Sequence, residues 1–356
     1  MLNAVIHWVI RAVTVGGAFG LLILVHEFGH FVVAKISGVR VLKFSIGFGP
    51  TLLRFSLGET EYVIACLPLG GFVKMAGEQQ EAASPQPGDY VAKPIWVRSL
   101  IVLAGPFVNY ISAILLLWVF LMRGYPGLLP VVGTVAPAMP AVSAGIQAGD
   151  QVLGVNGKTV RTWDEMTAVI HRSPGQAIEL DIERADQRLH ISVTPKAEEV
   201  EVRKGVKESI GLIGIAAGAR SLTAAEALGI SFNMQGYWAK QTMQALGALV
   251  TGKRKIKDSM TGPLGIMYLT SEAVSMGMAP LLLLLSLFSL SLAIFNCFPM
   301  PILDGGHLLF LFLEKVRGRP VSIVVQERAA MVGLVLLVSL ALVVSVNDLN
   351  RFWLNR

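Results

Sequence analysis

A chain of 356 residues has room for two to three domain-sized units, and its 15% charged content falls well below the roughly 25% usual for soluble proteins. With 53% hydrophobic residues and a mean hydropathy of +0.61, the composition argues against an ordinary soluble globular protein. The formal charge of +6 lies beside apolar runs and forms no basic stripe interleaved with aromatics, so the expected partner is the lipid bilayer and no nucleic acid.

Four apolar runs reach the roughly 20 residues needed to cross a hydrocarbon core of about 30 Å. They cover about residues 5–36, 99–122, 279–299 and 328–346. The first is too long for a cleavable signal peptide and lacks a small-residue cleavage site after a short apolar core, so it is expected to be retained. Arg11 near its outer end is expected to snorkel. Inside this run stands His26-Glu27-Phe-Gly-His30, an H-E-x-x-H pattern. Residues four apart share one face of a helix, so both imidazoles can reach one ion, and in soluble metalloproteases the Glu is the general base. A catalytic site of this kind needs one more protein ligand and an open position for water.

The 37–98 segment carries Arg40, Lys43, Arg54, Lys74, Lys93 and Arg98, with Lys35 at the helix end. The positive-inside rule therefore makes it cytoplasmic, together with the 300–327 connection and its Lys315, Arg317 and Arg319. Both termini and the long 123–278 segment then fall on the outer side, and His26 and His30 lie a few turns inside the cytoplasmic surface. Within 44–75, extended-type residues alternate with glycines and predict short β-hairpins. Cys66 here and Cys297 are too few and too distant for a disulfide framework or a Cys-based metal site.

From Val131 to Pro195 strand-like runs surround a helical Trp163–Ile170, and Ala144-Gly-Ile-Gln-Ala-Gly-Asp150 with Val155-Asn-Gly157 resembles a PDZ domain of bacterial proteases. Such domains take extended peptides or C-termini on a sheet edge, and the binding loop is expected just before Val132-Gly-Thr-Val. Residues 197–220 read as a charged, then Gly-rich connector. Leu222–Leu249 reads as an amphipathic helix, either along the outer membrane surface or packed against the spans, and basic Lys253-Arg-Lys-Ile-Lys257 follows.

The third span ends in Asn296-Cys-Phe-Pro299-Met-Pro301-Ile-Leu-Asp304-Gly-Gly-His307. Its prolines and glycines predict irregular backbone at membrane depth, tolerated only where protein or a watery cavity satisfies it. An acid in such a place is a candidate functional residue, and Asp304 can complete a His, His, Asp zinc site. His307 is expected to pack or support, and His7, His171 and His190 to lie at ordinary surface or interfacial positions.

The pair H-E-F-G-H at 26–30 and N-x-x-P-x-P-x-L-D-G-G at 296–306 resembles the site-2 protease family of intramembrane zinc metalloproteases, in particular its bacterial regulator-of-sigma-E group. Gly47-Phe-Gly-Pro50, Leu67–Lys74 and Ala104-Gly-Pro-Phe-Val-Asn109 carry the likeness across nearly the whole chain. The resemblance implies Zn2+ held by His26, His30 and Asp304, with Glu27 as catalytic base. It implies substrate-binding roles for Asn296, Pro299, Pro301, Gly70 and Gly71, the last two in a membrane-dipping β element at the substrate entry. A plain cytoplasmic hairpin is the alternative for that element. The implied activity is hydrolysis of peptide bonds within transmembrane segments of single-span proteins, such as anti-sigma factors or remnant signal peptides, in the bacterial inner membrane. A peptide C-terminus is the implied partner of the PDZ-like domain, of which one is found where many relatives carry two.

The expected fold is thus a multi-pass α-helical membrane protein with four transmembrane helices, a membrane-associated β-hairpin region and an inserted α+β PDZ domain. Residues 1–122 hold the first two spans and the hairpins, 123–197 the PDZ domain, 198–278 the connector and amphipathic helix, and 279–356 the last two spans. The competing functions are a membrane-anchored PDZ scaffold and a metal transporter, neither of which needs Glu27.

Overall fold

A computed structural model describes residues 2–78, 86–124, 126–185, 187–203, 206–253 and 261–349. The side chains of His7 and Arg11, and the basic residues 254–257, lie outside what is described. Two compact units emerge, one from residues 1–117 with 235–356 and the other from 118–234.

In the first unit, helix α1 (Leu2–Ile36) leads into two long strands, β1 (Val41–Leu57) and β2 (Thr60–Met75). Among the described residues, four helices are long and apolar enough to cross a membrane, over Thr14–Ile36, Ile95–Met122, Met278–Asn296 and Ile323–Leu349. The second of these is α2 (Ile95–Met122). Apolar side chains on one helix gain little by leaving lipid for another helix, so association relies on close packing of small residues and on buried polar contacts. Both occur here. Gly29 of α1 sits so close to α2 that a Cβ on it would overlap the Ala104 carbonyl. Further along α2, the Ala113 carbonyl accepts hydrogen bonds from Gln235 Nε2 at 3.1 Å and Ser286 Oγ at 2.8 Å.

β1 and β2 pair from Val41↔Met75 to Ile46↔Gly71, and again as a hairpin from Thr51↔Ala65 to Leu57↔Thr60. Residues 43–46 also lie against 61–64, so four segments run side by side. The hairpin turns at Gly58, whose φ of 62° favours glycine. Its tip exposes Leu52, Leu53, Phe55 and Leu57, each more than half accessible, whereas the inner half buries Val41 and Phe44. Beyond β2, Asp89 accepts from the Gln86 N–H at 2.9 Å and from Arg40 at 2.8 Å. These contacts, the main-chain donor foremost, hold its carboxyl below the usual carboxylate range.

The second unit has its own core. Its strands are β3 (Val132–Val135), β4 (Gln151–Val155), β5 (Lys158–Thr159), β6 (Ile178–Arg184), β7 (Gln187–Val193), β8 (Lys196–Arg203), β9 (Val206–Leu212) and β10 (Ile215–Ala217), with helices α3 (Pro140–Ser143) and α4 (Trp163–His171) between them. β5-β4-β6-β7 form one antiparallel sheet, and β10-β3 and β8-β9 form two-stranded ribbons. Alternate residues of β6, Ile178, Leu180 and Ile182, turn inward with Val152 and Met166, and all are buried. Thr162 caps α4 by accepting from the Glu165 N–H, and Glu165 reaches back to the Arg161 N–H. Asp150, fully buried, is forked by Arg184 at 2.6 and 2.7 Å and accepts from Gln147 N–H.

One expectation changes here. Residues 196–217 hold three strands and are not a connector. β3 pairs with β10 on one side, and at its start Val132 exchanges hydrogen bonds with Asp150 and Gly149. β10 has an outer edge without a partner strand among the described residues, as do β5, β7, β8 and β9.

The chain continues through α5 (Ala224–Val250), α6 (Pro263–Met276), α7 (Met278–Asn296), α8 (Asp304–Arg317) and α9 (Ile323–Leu349). Met234 and Gln235 of α5 are buried, while Met243 is 54% exposed. Asp348 of α9 is buried and accepts from the Gly262 and Gly265 N–H groups, which caps α6 from another helix.

Candidate metal centre

Three side chains from two distant parts of the chain converge within the first unit. His26 and His30, one turn apart on α1, present Nε2 atoms 3.2 Å from each other. Asp304 Oδ2 lies 3.0 Å from His26 Nε2 and 3.5 Å from His30 Nε2. Among the described residues these three form the group able to hold a metal ion, with ligand atoms within 4.8 Å of one another. The imidazoles are buried, and Asp304 Oδ2 is buried without a hydrogen bond.

Local sequence explains how each ligand is placed. The H-E-x-x-H spacing puts both imidazoles on one helical face. Where α2 passes that face the chain has Gly105, and a Cβ on it would overlap His30 Nε2 and come within 2.7 Å of His26 Cε1. Next in α2 is Pro106, which removes the N–H that would serve the Val102 carbonyl. Just before it, the Ile101 carbonyl accepts from His30 Nδ1 at 2.8 Å. Asp304 opens α8 directly after the Pro299–Pro301 loop, where a negative charge suits the helix N-terminus. Gly305 and Gly306 let that helix start against the loop, because side chains there would run into the Phe298 and Met300 carbonyls.

The set fits zinc. Nitrogen and oxygen ligands stand about 2.0–2.1 Å from the ion, so neighbouring ligands in a tetrahedron are about 3.3 Å apart. The observed separations of 3.0, 3.2 and 3.5 Å bracket that edge. Two imidazoles and a carboxylate are also a ligand set zinc uses, with the fourth position left open.

A cavity of about 300 Å³ opens on this cluster, and His26, Glu27, Asn109, Asn296, Leu303 and Asp304 are among its walls. Glu27 is half-buried, and its carboxylate takes a hydrogen bond from the Val73 main chain. Gly71 passes close by: a Cβ on it would be 3.4 Å from Glu27 Cγ and would press on the Ser45 carbonyl. Asn296 Nδ2 is 3.5 Å from His26 Nε2.

Other expected site residues stand further off. Gly70 backs onto the Phe48 ring. Pro299 and Pro301 shape the loop, while Ile302 and Leu303 are the loop residues that line the cavity. His307 and His190 are exposed, and the latter is hydrogen-bonded to Asp181 at 2.5 Å. Asn109 contacts His26 directly and does not figure among the expected site residues. It closes the Ala104–Asn109 motif, one helical turn beyond Gly105, and that adjacency is the signal that could have found it.

A His, His, Asp triad with buried imidazoles beside a glutamate, in a chain whose described residues include four helices long and apolar enough to cross a membrane, defines a membrane metallohydrolase. The family model for peptidase family M50 matches residues 15–340, and the chain belongs to that family. It is similar to the regulator of sigma-E protease RseP of Escherichia coli, 31% identical over 94% of this chain and 97% of that protein. A putative zinc metalloprotease of Clostridium perfringens is 34% identical over 93% and 96%, and the zinc metalloprotease RasP of Geobacillus kaustophilus is 30% identical over 94% and 97%. Among solved structures, the PDZ domain of an SdrC-like protein from Listeria innocua matches 26% of this chain and 92% of its own, with 20% identity and a TM-score of 0.20.

Proposed function

We propose that the chain is an intramembrane zinc endopeptidase that cleaves within the transmembrane segments of single-span membrane proteins. The observation that carries this reading is the cluster of His26, His30 and Asp304 next to Glu27, with the two histidines and Glu27 on a helix of membrane-spanning length. When bound, zinc supplies a Lewis acid for the substrate carbonyl and makes water a nucleophile near neutral pH. Glu27 accepts the proton of the attacking water and returns it to the leaving nitrogen. Asn296 donates its amide hydrogens to the substrate carbonyl as negative charge develops there. Ile302 and Leu303 give the cavity an apolar wall suited to side chains leaving lipid.

A helical substrate offers no free backbone group, so it must unwind before its carbonyl is reached. We assign that task to the β1–β2 region, whose Gly70-Gly71 stretch passes beside Glu27. An unwound substrate segment can pair there as an added strand. The exposed apolar hairpin tip suits contact with lipid acyl chains. The basic residues of the 37–98 and 300–327 segments support an orientation with this face toward the cytoplasm of a bacterial inner membrane and residues 118–234 on the outer side. We read the outer unit as a PDZ-type domain that takes an extended peptide end along the outer edge of β10. The name of the Escherichia coli relative, a regulator of sigma-E protease, supports anti-sigma factors as a substrate class, with remnant signal peptides as the other.

The experiment is cleavage of a model single-span protein by the full-length enzyme and by Glu27→Gln in liposomes. Loss of cleavage with zinc and fold retained is expected. Unchanged cleavage in Glu27→Gln would remove the mechanism.

A further inference from the structure

His26 and His30 are oriented by different means. His30 Nδ1 is tied to a main-chain carbonyl, that of Ile101, which no substitution of Ile101 removes. His26 Nδ1 instead faces a side chain, Asn109, whose Nδ2 is 3.2 Å away. Asn109 is fully buried, and its main-chain carbonyl is held by Ser289 Oγ at 2.8 Å. Its Oδ1 is buried with no hydrogen-bond partner.

Among the described residues the Asn109 side-chain amide has one hydrogen-bonding neighbour, His26 Nδ1, so the tautomer of that ring decides which end of the amide pairs with it. The two ends of an amide exchange by a half-turn about the last side-chain bond, and the surrounding hydrogen bonds decide between them. The half-turn puts Oδ1 against His26 Nδ1. Oxygen can only accept there, so Nδ1 carries the hydrogen and Nε2 keeps its lone pair for the corner shared with His30 and Asp304. With nitrogen in that place, Nδ1 must accept. A neutral ring would then carry its hydrogen on Nε2, which is 3.2 Å from His30 Nε2, where a ligand lone pair is needed.

We infer that Asn109 is a positioning residue for the metal centre: its side-chain oxygen accepts the His26 Nδ1 hydrogen and so fixes the tautomer and ring orientation that present Nε2 to zinc. This rests on the zinc reading of the His26, His30 and Asp304 cluster. Partners of this kind on ligand histidines are worth about 10–100-fold in metal affinity.

The test is zinc affinity of the full-length protein in detergent, by competition with a chromophoric chelator, with thermal unfolding as the check on fold. Asn109→Leu keeps the approximate shape and removes the acceptor, so zinc binding should weaken by about 10–100-fold. Asn109→Asp keeps an acceptor and has no donor, so its affinity should match or exceed that of the parent protein. A mere packing role would not separate the two. If Asn109→Leu binds zinc as tightly as the parent, or Asn109→Asp binds as weakly as a folded Asn109→Leu, the inference is overturned. Should Asn109→Leu not fold, Asn109→Asp decides alone, since loss of zinc in that folded variant also overturns it. Asp304→Ala is the control for the underlying reading: undiminished zinc there would remove the zinc site itself, whatever Asn109 does.

Discussion

Gly105 stands where α2 passes the metal ligands, and a Cβ there would overlap His30 Nε2. Gly105→Ala therefore forces either the imidazole or the helix to move, and overpacking of this kind costs about 1–3 kcal/mol. If the strain falls on the ligands, zinc should bind about 5–150-fold more weakly, because 1.4 kcal/mol is a factor of ten. Gly17→Ala in α1 is the matched control, since a Cβ there meets nothing within 4 Å and should leave zinc affinity unchanged. Equal zinc retention by both variants during chelator dialysis would refute the argument. At this scale the sequence reveals what is local. His26 and His30 announce themselves by the helical repeat, and Asp304 by being an acid in Pro- and Gly-rich backbone at a span's end. Asn109 does not, because its meeting with His26 spans 83 residues and depends on how two helices cross. The prolines at 299 and 301 also marked irregular backbone, but could not say which neighbouring side chains face the cavity, and Gly70 rested on the family resemblance alone.

The helix that opens with Asp304 is joined to α2 by an ion pair away from the metal. Arg98 at the start of α2 forks Glu314 of α8 at 2.5 and 3.0 Å, and its Nε donates to the Lys93 carbonyl. Both side chains are largely buried. Because α8 begins at Asp304, this pair helps to set the third ligand. Removing one partner of a buried pair strands the other charge and costs about 3–5 kcal/mol, whereas an apolar replacement of both is often neutral. Arg98→Ala should therefore lower the unfolding temperature and release zinc more readily, and the double change Arg98→Met with Glu314→Leu should recover most of the loss. A double variant no better than the single one would mean that the pair itself is required. Element by element, long apolar runs made the spans readable, as a membrane of fixed thickness demands. β8 escapes the sequence because its described side chains Lys196, Ala197, Glu199 and Val200 are exposed, so they give no buried face to impose a period-two pattern.

On the scale of the whole molecule, the two units rest on different physics. Residues 118–234 bury Val132, Val152, Leu180, Ile182 and Met166 in a core of their own, as a water-soluble domain does. The other unit relies on small-residue helix contacts and buried polar pairs, to which a bound ion adds stability. Metal removal should thus separate them. At a free zinc concentration of 100 times Kd, binding adds about 2.7 kcal/mol to the state that holds it. A chelator should lower the unfolding temperature of the full-length protein and leave Asp304→Ala unaffected. A fragment of residues 127–220 contains the entire second core, so it should be soluble, unfold in one cooperative step and ignore the chelator. Met166→Ala in that fragment should cost about 2–5 kcal/mol, since the side chain is fully buried. The same substitution in the full-length protein should leave zinc affinity unchanged, because no ligand comes from that unit. A chelator response in the fragment, or zinc loss in full-length Met166→Ala, would show that the units do not divide stability in this way.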